Sequence, residues 1–176
     1  MQDFLIVGGG VIGMMTALQL ADAGHSVALV ERGQCGREAS WAGGGIVSPL
    51  YPWRYSKAIS ALSSWSEGRY PELAGRLLEE TGIDPEYRQK GLLYLRVEDV
   101  DVALAWAREV AKPLNRIDAG TLYTKEPNAA PGFEGALWMP TLGSIRNPRL
   151  GQALRARLLQ MPRVSLHEQC EESALI

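Results

Sequence analysis

The sequence predicts an α/β fold in which a parallel sheet opens the chain and is joined to part of an antiparallel α+β domain. Three observations predict it. A short apolar run, Phe4-Leu5-Ile6-Val7, leads at once into Gly8-x-Gly10-x-x-Gly13 and then into apolar residues at helical spacing. Ser26 to Val30 is a second run of strand length, and it ends on an acid, Glu31. Near the other end, a patterned helix from Asn147 feeds Val164-Ser165-Leu166-His167, the order expected of a third strand returning to the same sheet.

Composition bounds the class. The 176 residues are 46% hydrophobic and 22% charged, enough to build a globular core. A formal net charge of −2 provides no basic field for nucleic acid or anionic lipid, so neither is expected as a partner. Cys35 and Cys170 stand far apart and in no Cys/His cluster, which signals neither a metal site nor a disulfide framework. Free thiols of this kind fit a reducing compartment, and a cytoplasmic location is expected. Phe4–Val7 is too short to span a bilayer, and the residues before it lack the basic start of a secretory signal.

The first elements form a βαβ unit. Val11 to Ala23 reads as a helix with Ile12, Met15, Leu18 and Leu20 as its apolar positions, closed by Gly24 as a left-handed cap. Gly8 permits the tight turn, Gly10 lets backbone approach a pyrophosphate, and Gly13 lets helix and strand pack closely. The free N–H groups of the helix N-terminus then face the phosphates. Glu31 ends the second strand at the separation from Gly13 where an acid accepts hydrogen bonds from a ribose hydroxyl. NAD and FAD both remain open at this point. Arg32 to Ile46 follows as a run of small residues, whose use is close backbone approach to a further part of the same ligand, with Ser40 as a donor.

Residues 4–46 resemble the FAD-binding start of the glycine oxidase and D-amino acid oxidase family of flavoenzymes. The stretch ASWAGGGIVSPLYPWR, Ala39 to Arg54, is similar above all to bacterial thiamine-pathway glycine oxidases. The resemblance implies a Rossmann-type FAD-binding sheet with the helix start at Val11 and Ile12 at the pyrophosphate and Glu31 with Arg32 at the adenosine ribose. It implies Ala39 and Ser40 along the pyrophosphate and ribityl chain, and Gly43, Gly44, Gly45 and Ile46 at the isoalloxazine ring. Ile46 and Ser48 become candidates for the substrate-pocket wall. Dimethylglycine dehydrogenases resemble this segment but carry a histidine that attaches FAD covalently where this chain has Ala42, so non-covalent FAD is implied. Cys35, in a glycine-flanked turn, reads as a small turn residue.

The middle is patterned less sharply. Pro49 to Tyr55 reads as a loop, and Ala58 to Thr81 as one or two helices, with Pro71 restarting the second and Gly82 stopping it. Strand is expected at 92–97, helix at 100–110, a short helix at 121–125, strand at 135–139 and further strand around 143–146. Asn147 is expected to cap the last helix, with Pro148 first inside it and Leu150, Ala153, Leu154, Leu158 and Met161 on one face. Arg146, Arg149, Arg155, Arg157 and Arg163 read as its solvated side, and His25 and His167 as structural.

These readings divide the chain into an FAD-binding unit at 1–50, a substrate-domain portion at 51–146, and a return helix and strand at 147–176. Past that strand, the resemblance points to Glu171 at the adenine end. It also implies oxidation of a small amine or amino acid, glycine first among them, with dioxygen as acceptor and an imine feeding thiamine thiazole synthesis. No catalytic residue is found. In the family, the substrate-clamping arginine lies in a C-terminal half, so the chain is expected to be a truncated N-terminal half, inactive alone. Three alternatives stay open: a non-catalytic nucleotide-binding module that needs a partner chain, an NAD-linked dehydrogenase, and a quinone-linked D-amino acid dehydrogenase. Self-association is left open.

Overall fold

The computed structural model describes residues 1–170, which divide into two compact units. The first holds residues 1–45, 70–87 and 145–170, and the second holds 46–69 and 88–144. The segment 70–87 therefore groups with the first unit, although the sequence reading kept 51–146 together.

The first unit is built on a parallel sheet. Strand β1 (Phe4–Val7) pairs with β2 (Val27–Val30), Phe4 beside Val27, and β2 pairs with β6 (Val164–His167), Val27 beside Val164. The order β1-β2-β6 leaves β2 central, and its Val27, Leu29 and Val30 are buried. β1 occupies an edge, where Phe4, Leu5 and Val7 stay exposed despite reading like an interior strand.

Helices α1 (Val11–Asp22), α2 (Ala39–Ala42) and α4 (Tyr70–Thr81) each pack against α7 (Asn147–Gln160). α1 is apolar nearly all round, so spacing alone misplaces its buried face. Met14, Ala17, Leu18 and Ala21 are buried, whereas Ile12 is 78% exposed. α7 buries Leu150, Ala153, Leu154, Leu158 and Met161 as expected. Its cap differs: Asn147 is the first helical residue, and Arg146 precedes it without a side-chain capping bond. Of the arginines read as its solvated side, Arg155 and Arg157 are part-buried in ion pairs, while Arg146 is paired yet 62% exposed. Arg157 meets Glu80 at 2.6 Å, Arg149 and Arg146 meet Glu86, and Arg76 grips Asp22 at 2.5 and 2.7 Å, tying α1, α4 and α7 together.

The second unit has an antiparallel sheet in the order β3-β5-β4: β3 (Leu92–Tyr94), β5 (Gly135–Met139) and β4 (Asn115–Asp118). β4 escaped the sequence reading because Asn115-Arg116-Ile117-Asp118 offers one apolar side chain. Residues 143–146 form no strand, only isolated bridges from Ser144 to Ile46 and to Arg88. Helices α3 (Lys57–Glu67), α5 (Val100–Glu109) and α6 (Ala119–Lys125) complete the unit. Its core gathers Trp53, Tyr94, Ala103, Ala107, Leu137 and Met139. Trp53 lies in a 3-10 turn, Pro52–Arg54, and its indole donates to Asp99 at 2.9 Å, so part of the expected loop is ordered core.

Candidate functional site

The end of β1 turns through Gly8, whose φ of +102° suits glycine and whose N–H donates to Val30 O at 2.8 Å. Gly13 then meets that turn so closely that a methyl on it would overlap the Gly8 carbonyl oxygen. Gly10 precedes α1 with extended backbone, and no acid stands in the first turn of the helix. The partial positive charge of the helix start is thus left for a ligand. Ser40 Oγ accepts from Val11 N at 2.9 Å, and the hydroxyl keeps its own hydrogen to donate.

Glu31 is held by the turn it serves. Its carboxylate accepts from Gly9 N at 2.6 Å and from Gly33 N at 2.8 Å. A carboxylate has about four acceptor positions, so two backbone bonds orient it and leave capacity for hydroxyl groups. Arg32 makes an exposed pair with Glu38 at 2.7 Å, which contributes little to stability.

Glu168, just past β6, was carried by no sequence motif. Its carboxylate accepts from Cys35 N at 2.8 Å and from Arg155 at 2.9 and 2.5 Å. The Arg155 guanidinium holds the Glu168 carboxyl down to about 2. No periodicity links 35, 155 and 168, so spacing could not have found this contact. Cys35 is buried, and burial with the neighbouring Glu168 carboxylate pushes its thiol up to about 12. It stays protonated, consistent with a small packing residue.

Ala39 starts α2, and the glycines after it approach other backbone. Gly45, at φ +73°, accepts from Ile145 N at 2.8 Å, and a methyl there would strike the Ile145 carbonyl. A methyl on Gly43 would strike the Asn147 side-chain amide, while Gly44 faces open space. Asn147, expected as a cap, thus has its amide against this run instead. Ile46 and Ser48 belong to the second unit: Ile46 is 42% exposed, and Ser48 Oγ is buried without a hydrogen-bond partner among the described residues. Glu171 lies outside the described residues. Among those described, no group of three His, Cys, Asp or Glu could hold a metal ion, and no helix is long and apolar enough to cross a membrane.

Comparison with known proteins matches this arrangement. Glycine oxidase of Pseudomonas aeruginosa is 53% identical over 95% of this chain and 46% of its own length. That of Pseudomonas putida is 48% identical over 99% of this chain and 48% of its own. The chain spans about half the length of the curated relatives it matches. The solved glycine oxidase of Bacillus cereus superposes with a TM-score of 0.86 at 30% identity, over 97% of this chain and 48% of that one. The FAD dependent oxidoreductase family, DAO, matches residues 3–175, and the chain belongs to that family.

Proposed function

We propose that this chain is the FAD-holding part of an amine oxidoreductase that acts on glycine or another small amino acid. The overall reaction would convert the amino acid, dioxygen and water to the 2-oxo acid, ammonia and hydrogen peroxide. The observation that carries this reading is the joint geometry of Gly8–Gly13 and Glu31. A glycine turn against an uncompensated helix start and an acid pre-oriented by Gly9 N form a cradle of dinucleotide shape.

The residues present fit FAD. Side chains are absent where backbone must approach a pyrophosphate, at Gly8 and Gly10, and Gly44 is open to a planar ring. Ile12 N and the Ser40 hydroxyl, itself held by Val11 N, would meet the phosphates, Glu31 with Arg32 the adenosine ribose, and Ala39 the ribityl side. Gly43, Gly45 and Ile46 would border the ring, with Ser48 toward the substrate. Held there, FAD would supply the two-electron redox chemistry of amine oxidation. This chain's own part is to orient: the fixed Glu31 carboxylate and the rigid turn set where the ring lies.

Ala42 stands where covalent relatives carry histidine, and the Cys35 thiol is buried, which supports non-covalent attachment. The two free thiols support a cytoplasmic location. Some relatives are named ThiO/ThiG bifunctional proteins, which supports delivery of a glycine-derived imine to thiamine thiazole synthesis. Proteins named D-amino acid dehydrogenase are also similar, so the electron acceptor separates two versions of this reading. A chimera joining this chain to the remaining half of the P. aeruginosa relative tests them. Peroxide formed with glycine supports the oxidase, while flavin bleaching with an amino acid but no peroxide favours the dehydrogenase. A flavin-loaded chimera that oxidises no amino acid refutes both.

A further inference from the structure

We infer that Glu168 is a positioning residue for the cofactor turn: bridged to Arg155, it pins the segment 34–36 behind Gly9 and so fixes the backbone that would receive a pyrophosphate. The inference rests on the reading of that turn as an FAD cradle.

The chain of contacts is continuous within the first unit. Glu168 Oε1 accepts from both Cys35 N and Arg155 Nε, and Oε2 accepts from Arg155 Nη2. The Glu168 side chain is only 18% exposed, so the bridge works at reduced dielectric and its bonds are charge-assisted. Immediately after Cys35, Gly36 N donates to Gly9 O at 2.8 Å. On the other side of the same residue, Gly9 N donates to Glu31. Cys35 Sγ fills the space that a methyl on Gly9 would need. Gly9 is thus held by its N–H, by its carbonyl and by van der Waals contact, and two of these three come from the segment that Glu168 holds.

Backbone bonds join the same two segments: Glu31 N donates to His167 O, Gln169 N to Gly33 O and Cys170 N to Glu31 O. They stop at Gly33. From Gln34 to Gly36 the loop leaves the strand edge, and Glu168 supplies the only side-chain acceptor that follows it among the described residues. Gly36 takes φ +73°, which glycine tolerates for want of a Cβ, and fits closely against Met14 and Gly151, where a methyl would lie 3.3 and 3.4 Å from them. Without the bridge, the Gly36 N–H bond to Gly9 O and that close fit are what remain to hold the loop under Gly9.

The test uses the 176-residue chain with Glu168→Leu, Glu168→Gln and Glu168→Asp. Three quantities are read: the FAD dissociation constant from flavin fluorescence, the melting temperature, and hydrogen exchange at the Gly9, Cys35 and Gly36 amides. Glu168→Leu is expected to weaken FAD at least about tenfold, as the loss of one charge-assisted bond implies, and to speed exchange at Cys35 and Gly36. Glu168→Gln keeps an acceptor for Cys35 N and is expected to restore FAD binding to within about threefold. Glu168→Asp keeps the charge but falls one methylene short, and is expected to weaken FAD severalfold.

Leu or Asp variants that bind FAD as tightly as the unaltered chain overturn the inference. So does a Gln variant no better than Leu, with affinity tracking melting temperature alone. If the Leu variant fails to fold, the Asp and Gln pair still decides. If the unaltered chain takes up no FAD, the functional reading fails, and the exchange rates alone decide whether Glu168 governs the turn.

Discussion

Replacing Gly13 by alanine separates close packing from helix propensity. Both Gly13 and Gly75 lie inside helices of the first unit, and alanine at either gains about 1 kcal/mol of helix propensity. Their surroundings differ completely. At Gly75 a methyl meets nothing within 4 Å, so Gly75→Ala should stabilise the unit by nearly that full amount. At Gly13 the methyl would lie 1.9 Å from the Gly8 carbonyl oxygen, 3.1 Å from its carbon and 3.4 Å from Ile6 Cγ2. Real contacts stay beyond about 3 Å, so α1 must back away from the turn by about 1 Å. The obstacle is backbone and has no rotamer to yield, which puts the cost near the upper end of the ~1–3 kcal/mol range for overpacking. The two variants should therefore differ by about 3 kcal/mol in urea unfolding, with Gly13→Ala below the unaltered chain. The same displacement moves the start of α1, so FAD affinity should fall in Gly13→Ala and not in Gly75→Ala. Equal stability changes in the two variants, or tight FAD binding by Gly13→Ala, would refute the argument.

Two further predictions come from the buried loop behind the turn. Cys35, with its thiol pushed up to about 12 by burial and by Glu168, should resist iodoacetamide at pH 8 in the folded chain, while the partly exposed Cys170 reacts; peptide mass spectrometry reads both. Glu168 is held at about 2 against an ordinary 4.5, so its contribution to stability is present above pH 4.5 and is lost as the pH falls toward 2. Acid titration of unfolding should show a steeper decline across that window than in Glu168→Gln, and superimposable curves would count against the bridge.

Much of the first unit was legible because its backbone demands rare residues. Gly8 must take positive φ, Gly13 must touch Gly8, and Glu31 must end a strand beside them, so three positions carry a geometry that few other residues satisfy. The buried face of α1 was not legible. Met14, Ala17, Leu18 and Ala21 compete with Ile12, Met15 and Leu20 in a helix with apolar residues on every side, and tertiary packing chose among them. β4 was missed for the opposite reason, since a strand with Ile117 as its one apolar residue is held by backbone pairing with β5. Asn147 illustrates a third limit. Its residue type suits a cap, yet its amide lies against Gly43, a contact with a segment a hundred residues away in sequence. Glu168 belongs with it, because its role depends on Arg155 and Cys35 meeting in space.

The central claim is that the turn at Gly8–Gly13, with Glu31, holds FAD. Titration of the 176-residue chain with FAD, followed by flavin fluorescence, tests it most directly when run beside Glu31→Ala and Gly13→Ala. The account predicts saturable one-to-one binding that ADP displaces and that both substitutions weaken. No binding by the unaltered chain, or binding that neither substitution changes, would contradict it.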